Sequence, residues 1–100
     1  MEQENVYIDS FNRNDKQLYF NQIRGVITEI NVDTDWCSYT LNVGHENPRL
    51  VNLSLKTAHY ETYKDKFSVG ERVMIRFFLT SRYKHGRWHT NANILEILVA

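Results

Sequence analysis

The chain of 100 residues has a single cysteine, Cys37, so no intrachain disulfide is open to it. A reducing cytoplasm is the default setting for such a sequence. No apolar run approaches the ~20 residues that a membrane-spanning helix needs. The opening Met1-Glu2-Gln3-Glu4-Asn5 is too acidic and polar for a secretory signal. Neither sign of charge is in excess: 12 Lys and Arg balance 12 Asp and Glu, for a formal net charge of +0. That balance argues against the strongly basic binding mode of a histone-like protein, and leaves a local cationic groove open. There is no Gly-rich phosphate loop and no nucleophile elbow. Cys37 lies outside any CxxC pattern of a zinc site. His85 and His89 are four apart, but they straddle a turn and no second pair of ligands is near. The residues therefore point to no enzyme, no cofactor and no metal site. No repeat or low-complexity tract is present.

The length is that of one domain. Residues 1–20 read as an N-terminal extension, flexible or draped on the domain. Val6, Tyr7, Ile8 and Phe11 could anchor it as an edge strand. Residues 21–100 read as the folded domain. Ile23, Val26, Ile27, Ile30 and Val32 form a long β-branched stretch with Gly25 inside it, which implies sharp coiling or a bulge. Asn31 to Asp35 is turn-like. Tyr39, Leu41 and Val43 alternate with polar residues in a half-buried strand. After the turn at Gly44-His45-Glu46-Asn47-Pro48, residues Leu50 to Leu55 give a third strand. Thr57 to Lys66 is the one helical candidate, with Thr57 as N-cap and Tyr60, Tyr63 and Phe67 sharing a face.

A fourth strand follows, with Val73, Ile75, Phe77 and Leu79 alternating towards the core. A turn around Lys84-His85-Gly86 reverses the chain, and Arg87 to Val99 makes the fifth strand. Three strands, a short helix and two more strands match an all-β, five-stranded OB-fold barrel. An SH3-like barrel or a small split sheet is the competing architecture.

Residues 70–90 hold the strongest functional signal. Arg72, Arg76, Arg82, Lys84 and Arg87 fall between Glu71 and Glu96 with no carboxylate among them. The alternation sets Met74, Arg76, Phe78 and Arg82 on the outer side of strand four. An outward Phe between arginines suits a polyanion whose units have flat faces. Equally, Met74 and Phe78 could pack under the N-terminal extension or in a subunit interface. Trp88 shares parity with Thr90, Ala92 and Ile94, and is expected to plug the barrel. Trp36, in a polar turn between strands one and two, is a candidate stacking aromatic, or a cap over one barrel end. His89 belongs on the surface, where it can stack or hydrogen-bond.

Val69-Gly70-Glu71, Ser81-Arg82 and Gly86-Arg87-Trp88-His89-Thr90 resemble the end of bacterial single-stranded-DNA-binding OB domains. They look still more like a family of small bacterial OB-like domains with the same Val-Gly-Glu, Ser-Arg and Gly-Arg-Trp signatures. The likeness spans residues 22–98 in layout and 69–92 in specific letters. It implies single-stranded DNA, or RNA, as partner and an accessory role in replication, recombination or repair; the net charge of +0 implies weak binding by a single copy and hence a homo-oligomer, and the lack of a long apolar run implies no membrane association. The expected contacts are Arg72, Arg76, Arg82, Lys84 and Arg87 to phosphates, with Phe78, Tyr83, Trp36 and His89 stacking on bases. The alternative is a protein-interaction or oligomerisation module that binds no nucleic acid.

Overall fold

Alternating apolar residues build five strands, and the strands close on themselves. The structure, a computed structural model, describes residues 20–100. The elements are β1 (Asn21–Val32), β2 (Trp36–Asn42), β3 (Leu50–Lys56), α1 (Thr57–Tyr63), β4 (Arg72–Lys84) and β5 (Arg87–Val99). Their order around the closed barrel is β1-β2-β3-β5-β4. All neighbours are antiparallel except β3 and β5, which run parallel and meet at one pair, Ser54 with Asn93. Closure with the helix between β3 and β4 is the OB topology. It excludes the split sheet and the SH3-like alternative. The proposed edge strand formed by Val6, Tyr7, Ile8 and Phe11 lies outside the described residues.

β1 serves two neighbours. Its first half pairs with β4, from Asn21 opposite Phe77 to Val26 opposite Arg72. Its second half pairs with β2, from Val26 opposite Asn42 to Val32 opposite Cys37. Gly25 stands just before the handover, where an added Cβ would lie 2.7 Å from the Asn42 carbonyl oxygen. Glycine is needed there for close backbone approach rather than for a bulge. The bulge is a little further on, between Ile27 and Glu29.

The core is one cluster: Ile27, Cys37, Tyr39, Leu41, Leu53, Leu55, Phe67, Val73, Ile75, Ile94 and Ile97. Each strand contributes its alternate positions, as the period-2 pattern requires. Tyr60 and Tyr63 of α1 pack against this cluster from outside. The helix is shorter than the sequence implied, and Thr57 is its first residue rather than its cap; Lys56 holds the N-cap position. The Thr57 side chain is used elsewhere, its Oγ1 donating to the Asp33 carbonyl at 2.8 Å. Its backbone N–H donates to the Asp35 carbonyl at 3.0 Å. These bonds tie the β1–β2 loop to the start of the helix.

Two expectations for the last hairpin are corrected. Leu79 and Trp88 were placed facing the core by their parity. They are 57% and 68% exposed. Their parity is indeed that of Phe77 and Ile94, but β4 and β5 run on past the end of the barrel. Inward-pointing side chains there have no core to enter. From Leu79 to the turn the hairpin projects from the barrel as an arm of six residues per strand, roughly 20 Å long at ~3.3 Å per residue. The turn is two residues, His85 and Gly86, with φ of 53° and 81°. Both lie in the left-handed region, as a type I′ hairpin turn demands.

Candidate nucleic-acid interface

The arm has two unlike faces, because paired residues on antiparallel strands share a side. One side carries Phe78 opposite Asn93, Thr80 opposite Asn91, Arg82 opposite His89, and Lys84 opposite Arg87. The other carries Phe77 opposite Ile94, Leu79 opposite Ala92, Ser81 opposite Thr90, and Tyr83 opposite Trp88. The first is polar and cationic, with one aromatic at its base. The second is apolar and aromatic, and Tyr83 meets Trp88 edge-on with ring centroids 5.4 Å apart.

The cationic side continues onto the barrel. Asn93 pairs with Ser54 across the parallel seam, and Ser54 pairs with Ser38 of β2. One step along the same strands, Trp36 lies opposite Lys56. Trp36, Ser54, Leu55, Lys56, His59, Phe78, Asn93 and Ile94 enclose a shallow depression of about 210 Å³. It sits between the base of the β1–β2 loop and the base of the arm. OB folds take their ligands on the strand 2–3 face between the corresponding loops. Trp36 is 48% exposed, and Phe78 is half-buried. The volume is below the ~300–1,000 Å³ of pockets that engulf a small molecule.

Polar contacts set the geometry of this surface. Asn93 Nδ2 donates to Thr80 Oγ1 at 2.9 Å and lies 3.3 Å from the Phe78 carbonyl oxygen. That fixes the base of the arm beside Phe78. His89 Nε2 lies 3.3 Å from the Lys84 carbonyl oxygen, near the tip. On the neighbouring barrel face Asn52 Nδ2 donates to Thr40 Oγ1 at 2.9 Å.

The expected residues are thus divided. Trp36 and Phe78 come together in the depression. Arg82, Lys84, Arg87 and His89 share the cationic side of the arm. Tyr83 turns to the opposite side. Arg72 begins β4, ten residues from Arg82, which is roughly 33 Å along the strand at ~3.3 Å per residue. Arg76 is engaged: its Nη1 donates to Glu96 Oε1 at 3.0 Å, and its guanidinium carbon lies 5.4 Å from the Phe20 ring centroid. A β5 irregularity at the Arg76–Phe77 step, where Leu95 is skipped, makes this pair possible. Sequence reasoning missed Lys56, His59, Ser54 and Asn93 as lining residues. The signal available for Ser54 and Lys56 was their parity opposite to Leu53 and Leu55.

Two titratable groups lie deep below this surface. Burial pushes the Cys37 thiol up from its ordinary value. Burial also pushes the Tyr39 phenol up, helped by Cys37, Tyr60 and Tyr63. Both groups are neutral at pH 7, so neither contributes charge to the interface. Among the described residues no three His, Cys, Asp or Glu side chains gather as metal ligands would. No described helix is long and apolar enough to cross a membrane.

The fold and this surface define an OB barrel with a long, two-faced β4–β5 arm. No protein-family model and no curated protein matches the sequence. Among solved structures the chain is similar to a small single-stranded DNA-binding protein from Streptomyces coelicolor, at 13% identity and a TM-score of 0.54. That match covers 82% of this chain and 94% of the other. It is also similar to a small single-stranded DNA-binding protein from Mycoplasma pneumoniae, at 14% identity and a TM-score of 0.50, covering 82% and 93% of the two chains. At these identities what is shared is the OB fold.

Proposed function

We propose that this protein binds single-stranded nucleic acid, DNA before RNA, without catalysing a reaction on it. One observation carries the reading. An aromatic depression and a row of cations with no ion-pair partner among the described residues lie on the same side of the same hairpin, next to the OB ligand face. Trp36 and Phe78 stack on bases, each stack contributing ~1–3 kcal/mol. Arg82, Lys84, Arg87 and Lys56 contact phosphates, and His89 hydrogen-bonds or stacks between them. Arg72 and Arg76, set apart or held by Glu96, contribute less than the sequence implied. Tyr83 acts on the other side of the arm.

The fold shared with two proteins described as binding single-stranded DNA supports the choice of strand. Recognition is weakly sequence-specific, because stacking accepts any base and phosphate contacts carry no sequence. The expected setting is the cytoplasm, in an accessory role in replication, recombination or repair.

Fluorescence anisotropy of a labelled mixed-sequence single strand tests this. Saturable binding that weakens with salt and resists duplex competition is the expected result. No binding at low salt would leave the second reading, a protein-interaction module. That reading is favoured by one observation of its own, the exposed Leu79, Tyr83 and Trp88 on the far side of the arm.

A further inference from the structure

The depression between Trp36 and Phe78 does not end at its own walls. A second one, of about 240 Å³, lies beside it and is enclosed by Leu55, His59, Thr62, Tyr63, Ile94 and Leu95. The two have three residues in common, Leu55, His59 and Ile94. Leu55 and Ile94 belong to the buried core and supply a shared floor. His59 is exposed, so it stands above that floor where one depression passes into the other.

Both walls of the second depression are placed by identifiable features. On the helix side, the bonds from Thr57 to the Asp33 and Asp35 carbonyls fix the start of α1. His59, Thr62 and Tyr63 follow at i, i+3 and i+4, the spacing of one helix face. On the sheet side, Leu95 is the residue skipped where Arg76 faces Glu96 and Phe77 faces Ile94. A bulge leaves its extra residue unpaired and re-aims the side chain. Leu95 is accordingly 38% exposed, an apolar side chain at the rim rather than in the core.

We infer that the depression between α1 and β5 is a second base site, a proposal that rests on the single-strand reading: it takes a base next to those held by Trp36 and Phe78. Three observations select that occupant. First, the depression is contiguous with the first, so a strand reaches it without leaving the surface. Second, at about 240 Å³ it falls below the ~300–1,000 Å³ of a pocket that engulfs a free small molecule, and suits one flat unit of a longer chain. Third, its lining joins two kinds of surface. Leu55, Ile94 and Leu95 offer apolar contact to the face of a ring, while the His59 imidazole and the Thr62 and Tyr63 hydroxyls offer hydrogen bonds to its edge.

The carboxylates next in sequence to these walls are matched by cations. Glu61 lies 2.8 Å from Lys64 Nζ, and Glu96 lies 3.0 Å from Arg76 Nη1. The strand then runs on from the arm, past His59, to the helix.

An abasic scan tests this. A length series by fluorescence anisotropy, from ~4 to ~12 nucleotides and so within the ~4–16 of one OB fold, finds the shortest mixed-sequence single strand with full affinity, which fits in one register. Removing one base at a time from that strand should cost roughly fivefold or more over Trp36 and Phe78, and again at one further position beside them. Trp36→Ala should lower the sensitivity at the first depression and spare the further position. Thr62→Trp, which fills the second depression, and Leu95→Ala, which removes one wall, should each lower the sensitivity of the further position alone. Both replace exposed side chains, and their circular dichroism should match wild type. Anything short of one position lowered by both variants and spared by Trp36→Ala overturns the second site and leaves the single-strand reading standing. No strand binding by the wild type overturns both.

Discussion

Neutralising the arm's cations should change the salt dependence of binding by an amount the geometry sets. Four cations line the proposed track: Lys56, Arg82, Lys84 and Arg87. Each phosphate neutralised on a single strand contributes about −0.7 to the slope of log K against log salt. Four contacts give a slope of about −2.8, a loss of roughly 50-fold between ~50 and ~200 mM salt. Arg82→Gln with Arg87→Gln removes two of them, leaving a slope of about −1.4 and a loss of roughly sevenfold over the same range. Arg76→Gln is the control. Its charge is compensated by Glu96 at 3.0 Å, so its slope should stay within about 0.3 of wild type, well under one full contact. Anisotropy titrations at four salt concentrations read all three slopes. A double variant with the wild-type slope, or an Arg76 variant that loses as much as the arm pair, refutes the assignment of the track to the arm.

Trp36→Ala should weaken single-strand binding roughly 5- to 150-fold, the loss of one base stack. Its melting temperature should hold, since the side chain is half exposed; unchanged affinity would remove Trp36 from the site. Trp88→Ala, on the opposite side of the arm, should leave affinity within about twofold by the same anisotropy assay, because it removes no stack from the track. Tyr39 is fully buried, and its hydroxyl has no hydrogen-bond partner among the described residues. Tyr39→Phe should therefore stabilise the fold, by about 1 kcal/mol in urea melts, because an unsatisfied buried hydroxyl costs ~1–3 kcal/mol. Burial raises both Tyr39 and Cys37 above their ordinary 10.0 and 9.0, so above those values the unfolded chain gives up its protons first. Stability is then whole below pH 9 and falls as the pH climbs further, and Tyr39→Phe should flatten that fall. Gly25→Ala should lower the urea midpoint, whereas the same change at an unobstructed strand position stabilises by about 0.4–1 kcal/mol, because here the added Cβ meets the Asn42 carbonyl.

The order of strands was legible because each strand alternates and each turn carries its own residues. Tyr39, Leu41, Leu53, Leu55, Val73 and Ile75 announce the core by parity alone. What parity cannot say is where the core stops. Leu79 and Trp88 obey the inward pattern but belong to strands that outrun the barrel, and so they emerge into solvent. The Arg76–Glu96 pair was equally hidden. It depends on Leu95 being skipped in the β4–β5 register, and nothing in Ile94-Leu95-Glu96 marks that residue. The cationic cluster was visible as composition. Its division between two sides of one hairpin, with Tyr83 parted from Arg82 and Lys84, needed the register fixed by the His85-Gly86 turn. Ser54, Asn93 and His59 meet only because β3 and β5 touch, a contact between residues 39 apart in sequence.

The parallel seam has a bearing on how the protein would respond to the strand proposed above. Every other junction of the barrel is a ladder of six or more pairs, whereas β3 and β5 are joined by the single rung of Ser54 and Asn93. Breathing motions start where the fewest bonds must break. The depression of Trp36 and Phe78 spans that same rung, so a strand lying in it would act as a clasp across the weakest stave. Occupancy would then shield backbone amides of β3 and β5 from exchange, and raise the melting temperature in proportion to the logarithm of ligand concentration.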